Sequence, residues 1–457
     1  MIFYNISTIY ILVVFLLIFS IVFAFLGRRG FFLSYLFNII IIFMIAGYSY
    51  LLEEVAISDL VFLDKFKLQY IFVFSIICFC MLIINGYESL NNIGNSLINT
   101  VTLIVSFSIL GSTDLITFFL SILIPILLTS ILVAVNSDSK RIALVATYIN
   151  MIMVGLFLFA IGLYYAETGS ILLEGKFENI SEIGLFAIVL FFMTTAFFAG
   201  TFPTYTGIFK ITNSEYNKNY ASDVLLIWSL IGYGVLHNLF KILNIFLKPN
   251  DDIFLVINVF LAVAILIPSL ISIYKKEVKE VIACLFMAHA GYAMLTVNLF
   301  FDQKTSELLL EYFIYHGIVF ASILIIINSI KHNNKNIVYG REVYGFIYDQ
   351  KLLGIIILVM LLSLMGAPFS AGAYSKFSLF LELAKHKHFF LLGISLISMT
   401  LGATSLFKTF FPFFLKNNRQ SQYFVDLPKR YLLILGVFCI FILVRGVIPK
   451  GIDLILK

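Results

Sequence analysis

Leu364-Met365-Gly366-Ala367-Pro368-Phe369-Ser370-Ala371-Gly372-Ala373-Tyr374-Ser375-Lys376-Phe377 is an apolar stretch broken by glycine and proline, and it carries a lysine. The surrounding chain consists almost wholly of membrane-length apolar runs. Lysine at a helix centre in hydrocarbon costs roughly 2.5–3.5 kcal/mol on insertion scales, so such a residue faces a bundle interior or a hydrated path. The stretch therefore points first to ion translocation.

Composition fixes the broad class. Of 457 residues, 61% are hydrophobic and 12% charged, with 50 Phe and a mean hydropathy of +1.05. Soluble domains carry about twice that share of charge, so the chain reads as a polytopic membrane protein. A net charge of +5 spread over many short loops gives neither a nucleic-acid surface nor a basic tail. Cys78, Cys80, Cys284 and Cys439 lie inside apolar runs without metal-type spacing, and read as small core side chains. The apolar run from Ile6 to Leu26 lacks a basic start and a cleavage site, so it reads as a retained helix.

Runs of about 17–25 residues cross a bilayer as helices. About fourteen are present, centred near Leu16, Ile41, Ile76, Leu103, Leu123, Met153, Val189, Gly232, Leu261, Met287, Val319, Met360, Ile397 and Val437. The fold expected is all-α and polytopic. Counting loops alternately puts most cations on one side, among them Arg28, Lys140, Lys210, Lys275, Lys331 and Lys429. The opposite side is acidic, with Glu53, Asp59, Glu167, Glu178 and Asp251. The positive-inside rule then places both termini outside.

Gly200-Thr201-Phe202-Pro203 in the seventh span and Gly366-Ala367-Pro368 in the twelfth interrupt their helices in comparable ways, five spans apart. Because five is odd, successive five-helix units would lie in the membrane with opposite topology, and paired broken helices mark transport sites in such repeats. A proline kink in each helix is the simpler alternative. The expected organisation is N-terminal helices over 1–95, a first repeat over 96–250, a second over 251–415, and a C-terminal helix over 416–457.

Residues 363–380 resemble the S-L-x-G-x-P-x-x-A-G-F-x-x-K-F-x-x-F signature of the antiporter-like subunits of respiratory complex I. Residues 278–292 resemble that family's I-K-R-x-L-A-Y-S-S-I-A-H-x-G-Y opening of the tenth span. Within the family, fourteen spans without a long lateral helix are most similar to the subunit N group, with subunit M and the D-type subunit of multisubunit sodium/proton antiporters as alternatives. The resemblance implies a bacterial inner-membrane protein in which each five-helix unit forms a half-channel and lysines near the breaks exchange protons. It implies partnership with other membrane-arm subunits and with lipid. Quinone and the redox centres would sit in partner subunits, with no cofactor in this chain. Lys376 matches the lysine of the twelfth span, and His289 the histidine of the tenth. The first half departs from the pattern: the family glutamate of span five falls at Leu123, and the lysines of spans seven and eight at Phe198 and Leu230. This leaves open a structural subunit with a degenerate channel.

The other intramembrane ionisable groups are His237, Lys241, Glu311, His316, Glu382 and Lys408, crowded into the second half. A histidine, with pKa about 6.5 in water, or a lysine removed from water can change charge at accessible cost. His289 and Lys376 are the pair expected to carry protons. His289 reads alternatively as a hydrogen-bonded tie between helices, and His237, Lys241 and Lys408 as side chains snorkelling to the interface. Glu311 and His316, five residues apart, do not share a helix face closely.

Overall fold

Backbone in hydrocarbon has no water to bond, so apolar runs close their own i to i−4 ladders. In a computed structural model of the chain, the described residues are 54–58, 61–64, 108–136, 140–173, 181–202, 231–243, 251–299, 303–332, 335–337, 339–416, 423–425, 427 and 429–448. The helices are α1 (Leu115–Asn136), α2 (Lys140–Thr168), α3 (Glu182–Phe198), α4 (231–243), α5 (Asp251–Tyr274), α6 (Val278–Met294) and α7 (Gln303–Ser329). They continue with α8 (Phe346–Asp349), α9 (Lys351–Met365), α10 (Ala371–Lys385), α11 (Phe389–Phe414) and α12 (Lys429–Val447). Among the described residues, five helical stretches are long and apolar enough to cross a membrane: Thr147–Thr168, Phe254–Tyr274, Val278–Val297, Leu308–Ser329 and Phe389–Phe414. Shorter apolar helices cover Leu115–Leu127, Glu182–Phe198, Lys351–Met365 and Tyr431–Val447. The spans expected around Leu16, Ile41, Ile76 and Leu103, and the break at Pro203, lie outside the described residues.

The all-α expectation needs one correction, because the polar connections contain short strands. β1 (Glu54–Ser58) and β2 (Val61–Asp64) form an antiparallel hairpin, and β3 (Ile330–His332) lies between β4 (Lys335–Asn336) and β5 (Tyr423–Val425). In β1, Val55 and Ile57 alternate with Glu54, Ala56 and Ser58, the two-residue period of a strand, and a reading tuned to membrane-length runs passes over it.

Two compact units divide the chain, one of Met1–Val135, Ala143–Thr194 and His237–Phe246, the other of Asn136–Ile142, Thr195–Leu236 and Leu247–Lys457. In the first, Asp114 starts α1 by accepting from the Thr117 backbone N–H at 2.7 Å and the Thr117 hydroxyl at 2.6 Å, an arrangement that satisfies first-turn donors. Phe157 packs edge-on against both Phe118 and Phe191 at 5.5 and 5.4 Å between ring centroids, joining α1, α2 and α3.

The second unit has a central pair. Val278–Val297 is 94% buried and Leu308–Ser329 is 89% buried, against 28–39% for the other three long spans, so α6 and α7 form the core that α5, α9, α10, α11 and α12 surround. A methyl group on Gly291 would stand 3.1 Å from the Ala264 carbonyl oxygen, so glycine there sets the close approach of α6 to α5. The Ser269 and Ser398 hydroxyls, 2.7 Å apart, join α5 to α11.

Between α9 and α10 the chain executes a stop and a restart that the sequence specifies. Gly366 takes φ +79°, a left-handed conformation that suits glycine, and ends α9. The Gly366 N–H donates to Ser363 O at 3.1 Å and the Ala367 N–H to Leu362 O at 2.9 Å, which satisfies two of the carbonyls that a helix end leaves free. Pro368 prevents continuation. Ser370 caps α10, its hydroxyl accepting from the Ala373 N–H at 3.2 Å. The Gly372 N–H donates to the Ser363 hydroxyl at 3.1 Å, and a Cβ at Gly372 would meet the Ser363 carbonyl oxygen at 2.2 Å, so the first turn of α10 lies directly on the end of α9.

Helix α12 closes over this break. A Cβ on Gly446 would lie 2.4 Å from the backbone of Phe369 and Ser370, whereas one on Gly436, in the same helix, would meet nothing within 4 Å. Gly446→Ala should therefore sharply reduce the amount of folded protein recovered from membranes and its melting temperature in detergent. Gly436→Ala should lower neither, because its methyl group meets nothing within 4 Å. Equal behaviour of the two variants would rule out the close approach of α12.

Candidate functional site

Lys376 occupies the second turn of α10 and is 3% exposed. Its ammonium donates to the carbonyl of Leu364, a further acceptor freed by the end of α9, and lies 5.8 Å from the centroid of the Tyr292 ring. A buried cation gains from a carbonyl dipole and from the negative face of an aromatic ring, and here both are supplied. Tyr292 is fixed in turn, its hydroxyl donating to Ser395 O of α11 at 2.9 Å. Beside the lysine is a cavity of about 400 Å³, lined by Gly366, Pro368, Tyr374, Phe380 and Met399 among others.

His289, 6% exposed, also neighbours Tyr292, with ring centroids 5.7 Å apart. His289 Nδ1 and the Tyr312 hydroxyl are 2.7 Å apart. The His316 ring centroid lies 4.4 Å from that of His289, and His316 stacks on Tyr312 at 4.0 Å with 17° between planes. His316 Nδ1 lies 2.8 Å from the carbonyl oxygen of Tyr312, which can only accept, so Nδ1 carries a hydrogen. When the ring is neutral, Nε2 therefore presents a lone pair, and among the described residues this buried atom has no hydrogen-bond partner. Lys376, Tyr292, His289, Tyr312 and His316 thus form one contiguous group that draws on α10, α6 and α7.

Glu311 precedes Tyr312 on α7 and forms an ion pair with Arg445 of α12. Arg445 is 2% exposed, and its guanidinium lies 5.3 Å from the Tyr374 ring centroid. Sequence analysis passed over Arg445. The available signal was a lone arginine in the apolar run Phe441-Ile442-Leu443-Val444-Arg445-Gly446-Val447, since an ionisable residue inside a span defaults to a functional hypothesis. Tyr312 was missed as well, because one tyrosine among 24 carries no distinguishing pattern.

The remaining expected residues lie elsewhere. Lys408 is exposed on α11 and donates to Ile273 O at 3.1 Å. It is about 20 Å further along that helix than Ser395, at 1.5 Å per residue. Glu382 pairs with Lys385 at 2.8 Å, one turn along α10. In the first unit, Lys241 on α4 donates to Ser112 O at 3.1 Å, Asn238 donates to Ile109 O, and His237 is half-buried on the same helix. Leu123 is half-buried in α1, Phe198 is buried at the end of α3, and Leu230 lies outside the described residues. Gly200 has φ +87° immediately after α3, so the helix stops there. Among the described residues, no group of three or more His, Cys, Asp or Glu is placed to hold a metal ion.

Residues 112–402 match the family described as NADH:quinone oxidoreductase/Mrp antiporter, TM, a segment that holds the whole Lys376–His316 group. The chain belongs to that family. It is 24% identical over 333 residues to NADH-quinone oxidoreductase subunit N of Buchnera aphidicola subsp. Schizaphis graminum, covering 68% of this chain and 66% of that one. It is also 24% identical over 346 residues to subunit M of Rickettsia prowazekii, covering 73% and 68%. The alignments thus span about two thirds of the length of these relatives. Among solved structures, a chain of respiratory complex I from Thermus thermophilus with bound aureothin superposes with a TM-score of 0.78 at 17% identity, covering 96% of this chain and 98% of that one. The two chains share the antiporter-like membrane fold.

Tyr312 links His289 and His316, and its hydroxyl is the one polar side-chain atom it gives to the group, so that hydroxyl is the most informative atom to remove. Tyr312→Phe leaves His289 Nδ1 buried without its partner and should lower stability by about 1–3 kcal/mol. Thr194→Val should cost less than about 0.5 kcal/mol, because the Thr194 hydroxyl bonds only carbonyls of its own helix, Leu190 at 2.7 Å and Phe191 at 3.2 Å. Thermal unfolding in detergent ranks the two.

Proposed function

We propose that this chain is a proton-translocating membrane-arm subunit of a complex I-type NADH:quinone oxidoreductase, of the subunit N group. It carries out no redox step itself. Quinone reduction and its redox centres belong to partner subunits, and the chain sits among other membrane-arm subunits in the bacterial inner membrane with both termini outside. Family membership supports this reading, and the observation that carries it is Lys376, a lysine buried inside a helix break and continuous with a histidine–tyrosine cluster. The full architecture proposed is about fourteen spans containing two inverted five-helix repeats, over 96–250 and 251–415, with breaks at Pro203 and Pro368.

The chemistry follows from what each group can hold. The Leu364 carbonyl accepts a hydrogen bond but cannot take the proton, so Lys376 keeps its charge until its ammonium meets a base or a water chain. Tyr292 offers a ring face beside that ammonium, and its own hydroxyl is committed to Ser395. Next to Tyr292, the His289–Tyr312 hydrogen bond can relay a proton, and Nε2 of His316 offers a lone pair to receive one. A relay working against a membrane potential needs a site that stores charge while access switches, since each 100 mV costs a proton about 2.3 kcal/mol. Lys376 and the two histidines supply such sites. In the first half, the Thr194 hydroxyl bonds carbonyls of its own helix, the Thr201 hydroxyl just past the end of α3 bonds the Ala196 carbonyl, and Leu123 and Phe198 are apolar, so that half contributes packing. Its apolar positions favour, as a second reading, a subunit in which half the channel is degenerate.

Lys376→Ala should reduce protons moved per quinone reduced to below about a third of the parent value in an assembled complex, and Lys376→Arg should also impair it, because arginine hardly deprotonates. His289→Ala should be more damaging than Thr194→Val. Proton uptake by inverted membrane vesicles, normalised to quinone reduction, makes the comparison. Full pumping by Lys376→Ala would remove this lysine from the mechanism.

A further inference from the structure

Arg445 is the one fully buried arginine among the described residues, and burying a permanent cation requires a partner and a purpose. It touches two of the three helices that bear the relay, α7 and α10. Its guanidinium pairs with Glu311, which immediately precedes Tyr312 on α7, and faces the ring of Tyr374, two residues before Lys376 on α10. One residue further along α12, Gly446 lies against the backbone of Phe369 and Ser370 in the break. On α7, the turn after Glu311 carries Tyr312, Tyr315 and His316, all buried, so a shift of that turn moves the hydroxyl that holds His289.

We propose that Arg445 is a positioning residue: by pairing with Glu311 and covering Tyr374, it fixes the register of α7 against α10 and so sets the spacing between the His289–Tyr312–His316 cluster and Lys376. The inference rests on the proton-transfer reading of those residues. Guanidinium suits the role because it is planar, stays charged at any working pH, and offers a flat face to an aromatic ring together with in-plane donors to a carboxylate. Glu311, which the sequence presents as a candidate proton carrier, is on this account the fixed anion of the pair. It holds a helix in place while protons pass along the neighbouring turn.

The test uses inverted membrane vesicles containing the intact complex, with proton uptake and quinone reduction measured together across a range of pH. Arg445→Met, Arg445→Lys and the charge-free pair Arg445→Met with Glu311→Gln are compared with Lys376→Ala in the same membranes. Arg445→Lys keeps the charge and should retain at least about half of the protons moved per quinone, whereas Arg445→Met should fall at least about threefold and displace the pH profile of pumping. The charge-free pair should assemble, because no unpaired charge is left buried, yet pump as poorly as Arg445→Met, because the register is lost. Normal pumping and an unchanged pH profile in the charge-free pair would overturn the proposal, since the two charges would then serve only each other. Failure of all three variants to assemble would overturn it too, making Arg445 a folding element. If Lys376→Ala pumps normally, the proton-transfer reading itself fails. If Lys376→Ala is impaired while the Arg445 variants are normal, only the positioning role fails.

Discussion

The second unit depends on one constraint: a helix interrupted inside a membrane protein frees carbonyl oxygens that no water reaches, and each must find a donor within the protein. At the end of α9 these acceptors are divided between backbone and side chain. Gly366 and Ala367 return their N–H groups to Ser363 and Leu362, and Lys376 serves Leu364. The break and the lysine therefore account for each other. Without the break there would be no acceptor to receive the ammonium at that depth, and without the lysine the Leu364 carbonyl would lose that donor. Tyr292, His289 and Tyr312 are assembled around this exchange, and α6, the most thoroughly buried long span, carries two of the three.

What the sequence made legible was the local chemistry. Gly366, Pro368 and Ser370 announce stop and restart, because each has a backbone role tied to its own covalent structure, and Lys376 stands out by charge against an apolar background. His289 was found by its resemblance to a family position. Long-range partners were not legible. Arg445 and Glu311 are 134 residues apart, and nothing local to either names the other. Tyr312 gains its importance from the packing of α7 on α6, and Tyr292 from the ammonium beside its ring. The short strands escaped for another reason: their alternation is brief, and they pair across connections that read as plain polar loops.

The two units use polar side chains differently. In the first, Asn238 and Lys241 of α4 donate to Ile109 and Ser112, main-chain carbonyls next to the start of α1, and Asp114 caps that helix. Such groups tie backbone together through their N–H donors. In the second, the imidazoles and the lysine meet aromatic faces and one another, and His316 keeps a ring nitrogen unengaged. A group committed to a main-chain carbonyl stabilises one geometry, and a group with an idle lone pair can change its protonation without breaking a bond.

Gly446 gives the close contact of α12 with the break a meaning in time as well as in space. Helix α12 is synthesised after every other described helix, and it is the element that brings Arg445 to Glu311 and presses against Phe369 and Ser370. Until it inserts, Glu311 lacks the Arg445 guanidinium and the break lacks its cover. The group around Lys376 is thus completed only when α12 has packed against the break, after the helices that supply its side chains are in place.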